Sequence, residues 1–316
     1  MHVDVWVIGG GFECQPFSSV STRRTAPHSD PRSDLCSYIP IVVDMFTSVF
    51  PDAQNFQFAE NVASMPKATR AHISDVLALP CYSICPSALS PARRPRLYWF
   101  DWALAPASDF SVSVDNSRLR SVTFVPPSHF PDPSSWVEPG WAPVAGPSAI
   151  FPTFTTPNFR GVPSASPAGI QRSSESAISR WHADACRFPP FQYESSFGLI
   201  FNGLSSTWRV PSVRERQLLL NFRQFHTECC MSSAHAASSP AEFELEQLRL
   251  LGNSFHCGVV SWILGHLFFR LGVLPHPPPA SIISPIVPVP PSLPSSGQAS
   301  LELRVIRKPI GVTMSV

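Results

Sequence analysis

The chain has 316 residues, 36 of them proline, with 14% charged side chains and a formal net charge of +1. An ordinary soluble domain carries roughly 25% charged residues and about 5% proline, so a coiled coil or long helical bundle is excluded, and no global basic field announces a nucleic-acid binder. The 44% apolar content, with 23 Phe and 8 Trp, is in turn too apolar for a wholly disordered chain.

Length alone predicts about two domains. Of the 36 prolines, 24 fall within residues 106–190 and 275–316, and only 2 within 191–274. Regular structure therefore concentrates outside those two blocks. Met1 to Gly11 lacks the charged start and apolar core of a secretory signal. The most apolar stretch, Gly258–Leu274, is interrupted by His266 and Arg270 and is too short to span a bilayer. No membrane partner and an intracellular address are expected. The eight cysteines form no C-x-x-C pair and no Cys/His quartet, so free thiols and no metal site are expected.

In chain order, Val3–Ile8 (VDVWVI) is a β-rich run that ends in Gly9-Gly10-Gly11, a strand entering a tight loop. Ser18–Pro31 is polar and reads as a loop. From Asp34 to Phe50 apolar residues recur at Leu35, Ile39, Val42, Val43, Phe46 and Val49, which predicts a helix with Pro40 in its first turn. Phe56–Ala59 is a second strand, Ile73–Leu79 another apolar stretch, and Leu97–Trp102 a third strand. Strand, helix, strand in this order predicts an α/β unit with a parallel sheet. Residues 106–205 have no long period and read as a loop-dominated lobe. Gln217–Phe222 is apolar again, Ala241–Leu251 and Ser254–Leu274 read as helices, and the segment after Pro275 reads as a disordered polyproline-type tail.

Taken singly, the glycine loop, Cys14, Glu60 and the arginines Arg94 and Arg96 are weak signals. Their order carries more. Gly10-Gly11-Phe12-Glu13-Cys14-Gln15-Pro16-Phe17-Ser18 resembles the G-G-P-P-C-Q-P-F-S nucleophile loop of the C5-cytosine-specific DNA methyltransferases. Asp30-x-Arg32-x-x-Leu35 is similar to the D-x-R-x-x-L that closes that loop. Glu60-Asn61-Val62 matches the family's E-N-V, and Arg94-Pro95-Arg96-Leu97-Tyr98-Trp99 resembles its R-x-R-x-[FY]-[FW] strand. Arg209-x-x-Ser212-x-Arg214-Glu215, Leu220-Asn221-Phe222 and Gly252-Asn253-Ser254-Phe255 are similar to its closing elements. The resemblance covers about residues 3–274.

The resemblance implies an α/β fold. Its core is a partial Rossmann-like methyltransferase sheet at 1–105, with a target-recognition region inserted at 106–205. The chain then returns to the catalytic domain at 206–274 and ends in the Pro-rich tail at 275–316. It implies methyl transfer from S-adenosylmethionine to cytosine C5 in double-stranded DNA, and hence a nuclear address. C5 is a poor nucleophile; a thiolate that adds to C6 makes it enamine-like. Cys14 is the implied nucleophile, Glu60 the group on the cytosine N3 edge, and Arg94 or Arg96 the group that orients base and carboxylate. Asn253, Ser254 and Phe255 are the implied cofactor contacts. Arg23, Arg24, Arg160 and Arg187, with Arg172 and Arg180, are the implied DNA contacts.

Three departures from the family pattern stand out. No F-x-G-x-G cofactor loop precedes Gly10, so the expectation is an N-terminally truncated member. Glu13 beside Cys14 disfavours the thiolate. Asn221 stands where the family has glycine. These departures raise an alternative: an inactive remnant that binds DNA or a partner, such as a paralogous methyltransferase subunit.

Overall fold

A computed structural model describes residues 4–12, 35–128, 132–158 and 170–285. Cys14, Arg23, Arg24, Asp30, Arg32 and Arg160 lie outside them, as does the chain from 286 onward.

Strand β1 (Val5–Gly11) is followed by helix α1 (Tyr38–Val49), β2 (Gln54–Val62) and α2 (Lys67–Leu77). Pro40 is the third residue of α1, where its missing N–H leaves no bond unmade. Strands β3 (Cys81–Ile84), β4 (Arg96–Phe100), β5 (Phe110–Val114) and β6 (Arg120–Phe124) complete a six-stranded sheet of order β1-β2-β4-β3-β6-β5. β1 and β2 are parallel, as are β3 and β6, but β4 runs antiparallel to both neighbours. The sheet is therefore mixed, where the order of elements in the sequence predicted a parallel one. The short Pro86–Ala88 turn brings the chain back beside β3 with no helical crossover, and only an antiparallel strand can follow so short a connection.

The break expected at residue 105 falls inside this sheet. β5 (FSVSV) and β6 (RSVTF) form a hairpin that pairs with β3. Their alternation with Ser and Thr keeps one face apolar at low overall hydropathy, so the hairpin is easily taken for loop. A smaller antiparallel sheet, β7 (Trp141–Pro143), β8 (Ile200–Asn202) and β9 (Thr207–Arg209), forms the lobe with α3 (Glu175–Ala183). Helices α4 (Val213–Leu219), α5 (Ser233–Ser238), α6 (Pro240–Asn253) and α7 (Cys257–Arg270) follow. No helix among the described residues is long and apolar enough to cross a membrane.

The main sheet buries both faces. Ile73 and Leu77 of α2 pack with Ala59, Leu97 and Trp99 on one. Val259, Trp262, Ile263 and Leu267 of α7 pack with Phe56, Phe58, Tyr98, Phe100, Phe110 and Phe124 on the other. The stretch read as the beginning of a disordered tail belongs to this second core. A 3₁₀ turn, Ala280–Ile283, lies against α7, with Ile283 fully buried and the Ala280 N–H donating to Asp109 Oδ2 at 2.6 Å. Gly258 and Gly265 of α7 make room for it, since a Cβ on Gly258 would sit 2.9 Å from Ile283 Cα and one on Gly265 2.8 Å from Pro278 Cγ. Asn221 closes α4 at φ +59°. Asparagine tolerates that left-handed conformation, which explains how it replaces glycine there, and its Nδ2 donates to Ile282 O at 2.7 Å.

The docked turn makes a clear prediction. Ile283→Ala should destabilise the protein by about 2–4 kcal/mol, as a buried large-to-small change does, read as a lower urea midpoint. A midpoint equal to the parent's would show that the segment is not part of the core.

Candidate active site

Glu60 is placed by strand periodicity. Phe56, Phe58 and Glu60 alternate on one face of β2, so the carboxylate continues a row of core side chains. Register sets Glu60 opposite Tyr98 and Val62 opposite Arg96 on β4. The Arg96 Nε lies 2.9 Å from Glu60 Oε1, and both side chains are under 10% exposed. Burial raises the Glu60 carboxyl above its ordinary 4.5, outweighing the opposing pull of Arg96 and Arg94. The phenol of Tyr98 is fully buried and pushed up strongly, first by desolvation and then by Glu60.

Asn61 points to the opposite side of β2 and does a different job. Its Nδ2 donates to Phe12 O at 3.1 Å, while its Oδ1 accepts the Val62 N–H at 2.7 Å. It thereby holds the last described residue before the Cys14 loop against the strand that carries Glu60. Sequence reading quoted Asn61 within E-N-V but gave it no role, although its place beside the acid was the available signal.

Arg94 and Arg96 diverge. The Arg94 guanidinium, 1% exposed, donates to Phe154 O and Gly252 O at 3.0 Å each, to Leu251 O at 3.4 Å, and to Ser254 O. It ties the strand entry to the turn between α6 and α7. Of the two candidates for the orienting role, Arg96 lies on Glu60 and Arg94 on carbonyls. Gly252 in that turn packs against the Thr155–Thr156 backbone so closely that a Cβ would lie 2.3 Å from Thr156 N.

Of the implied cofactor contacts, Asn253 is exposed, Ser254 gives its carbonyl to Arg94, and the Phe255 ring packs on Phe222 at 6.3 Å. Among the implied DNA contacts within the described residues, Arg187 pairs with Glu244 at 3.0 Å in a lobe cleft of about 320 Å³. Arg180 donates to Tyr193 O at 3.1 Å and lies over Trp208 at 5.6 Å. The R-x-x-S-x-R-E element is structural: Ser212 and Glu215 form a capping box, and Arg209 bonds Glu215 at 2.7 Å and Glu138 at 2.9 Å. The described cysteines are free, and no metal-holding cluster of His, Cys, Asp or Glu occurs among the described residues.

No protein-family model and no curated protein matches the chain. Solved structures do resemble it. The methyltransferase EhMeth of Entamoeba histolytica is 14% identical, with a TM-score of 0.44 over 85% of this chain and 78% of that one. A DNMT2 mutant of Spodoptera frugiperda is 16% identical, with a TM-score of 0.42 over 83% and 79%. The Dnmt2 methyltransferase of S. pombe is 16% identical, with a TM-score of 0.43 over 85% and 78%.

The raised carboxyl gives a signed prediction. A fold that holds the Glu60 proton more tightly than the unfolded chain is favoured below pH 4.5 and loses that contribution as pH rises through the folded-state value. Glu60→Gln cannot ionise, so its urea midpoint relative to the parent should rise as pH is taken from below 4.5 to neutrality. A difference that stays flat or falls would contradict the raised carboxyl.

Proposed function

We propose that the chain is a cytosine-5 methyltransferase acting on DNA, with Cys14 as nucleophile and Glu60 and Arg96 as the groups that engage the base. The observation that carries this reading is the buried Glu60–Arg96 pair, joined through Asn61 to Phe12 at the entry of the Cys14 loop.

The chemistry follows from those side chains. The Cys14 thiolate forms a bond to C6 of the ring, and the electron pair displaced from the C5=C6 bond passes into the ring toward N3. A carboxyl whose proton affinity is raised by burial is better able to share a proton with N3 as that charge develops. Arg96 holds the carboxyl through its Nε, 2.9 Å from Oε1. With C5 now enamine-like, methylation there and loss of the C5 proton return the thiolate. A base buried in a duplex must leave the stack to reach such a pocket.

S-adenosylmethionine is the methyl donor that the family resemblance implies. Among the described residues, the implied turn offers it little more than the Asn253 side chain, because Ser254 and Phe255 are otherwise engaged. These residues do not form a cradle for a nucleoside-sized cofactor. That observation favours a second reading, a remnant that engages nucleic acid or a partner such as a paralogous methyltransferase subunit without transferring methyl groups.

Duplexes carrying 5-azacytosine, which retains an attacking thiolate, test both readings. The parent should give a slower-migrating adduct on a denaturing gel, Cys14→Ser none, and Glu60→Gln at least about tenfold less. Equal signal from parent and Cys14→Ser would sink the enzyme reading. Labelled S-adenosylmethionine then separates the cases: adduct with label on an ordinary duplex supports the methyltransferase, adduct without label the remnant. The same assay on RNA would reassign the substrate if only RNA reacts.

A further inference from the structure

A second cleft, of about 840 Å³, lies away from Glu60 between α2, the Ala78–Cys81 connection and the turn of the β5–β6 hairpin. Arg70, Arg118 and Arg120 line it, against Asp75 as the only lining carboxylate. None of the three arginines forms an ion pair among the described residues, whereas Arg96, Arg187, Arg209 and Arg249 each pair with a glutamate. Arg70 and Arg120 are held by neutral partners instead. Arg70 Nη2 donates to Ser117 Oγ at 2.5 Å, and Arg120 Nη1 to Tyr82 Oη at 2.6 Å. Arg118 is exposed at the hairpin tip.

Nearby Asp115 forms no ion pair with them but offsets part of the charge of Arg70 through space. Its oxygens accept the Ser117 and Leu119 N–H groups at 2.8 and 2.9 Å and the Ser117 hydroxyl within the turn. Neutral donors complete the wall. Ser74 Oγ accepts from Trp99 Nε1 at 2.9 Å, which leaves its own hydrogen to give, and Asn116 is exposed beside it. Guanidinium forks with hydroxyl and amide donors around a concave surface suit phosphate oxygens.

We propose that this cleft binds the phosphodiester backbone of the nucleic acid whose base is engaged at Glu60, and so anchors the substrate outside the reacting site. The proposal rests on the nucleic-acid reading above for the identity of the ligand. The four residues of β3 span about 10 Å between Cys81 at the cleft and Ile84, the register partner of Arg96.

The test is binding of a fluorescein-labelled DNA duplex to the full chain across a salt series. Arg70→Gln/Arg118→Gln should weaken binding about tenfold at moderate salt and reduce the slope of log K against log salt by about 2, near 0.9 per phosphate contact. Arg70→Lys/Arg118→Lys should retain most of both. If the double glutamine variant fails to fold by circular dichroism, Arg118→Gln alone, at an exposed position, should lower the slope by about 1. An unchanged Kd and slope overturn the proposal while leaving the base-engaging site intact. A parent that binds neither duplex nor RNA overturns both readings. Vesicles containing phosphatidylserine supply the last arm: variants that lose vesicle binding but keep the duplex overturn the proposal in favour of a membrane surface.

Discussion

Three separate stretches of the chain meet at Arg94. A buried guanidinium is costly unless it is hydrogen-bonded, and here carbonyls from the lobe at Phe154 and from the α6–α7 turn at Leu251, Gly252 and Ser254 accept from Nη1 and Nη2. The lobe, the turn and the entry to β4 are thus fixed by one side chain. Its charge reaches further. His256, fully buried beside it, is pushed down to about 3, first by desolvation and then by Arg94, so its ring is neutral. A neutral imidazole sits within reach of the Ser90 hydroxyl at 3.3 Å, deep in the core and without a charge to solvate.

β2 divides its labour by strand alternation. Glu60 and Asn61 are adjacent in sequence and face opposite sides of the sheet. One carries a carboxyl into the layer beneath α7; the other reaches the loop carbonyl at Phe12 on the side of α2. A substitution at either position therefore acts on a different part of the same site. The mixed sheet matters here, because an antiparallel β4 brings Arg96 alongside the end of β2, where Glu60 emerges from the core.

Elsewhere in the lobe, arginines are committed to internal structure. Arg209 bridges two glutamates, Arg187 pairs with Glu244, and Arg216 donates to Pro211 O while lying over Phe188 at 4.1 Å and Phe154 at 4.8 Å. A sequence with few charges spends them on holding loops that have little regular hydrogen bonding of their own. Arg70, Arg118 and Arg120 instead cluster around the β5–β6 turn, outside the lobe.

The sequence by itself determined the α/β character, strands β1, β2 and β4 and helices α1, α6 and α7, and it named Glu60, Arg94 and Arg96 as candidates. Hydrophobic period and motif order are local, and Glu60-Asn61-Val62 and Arg94-Pro95-Arg96 are legible in one dimension. Tertiary structure alone decided the rest. The β5–β6 hairpin joins the main sheet because β3 offers it a free edge, and Ala280–Ile283 docks because two glycines on α7 leave room for it. The division of Arg94 from Arg96 arises the same way. Two residues apart in sequence, they are assigned by which acceptors the fold brings near, a carboxylate for one and carbonyls from distant turns for the other. Such partners lie far along the chain, from Phe154 to Ser254, and no local pattern encodes them.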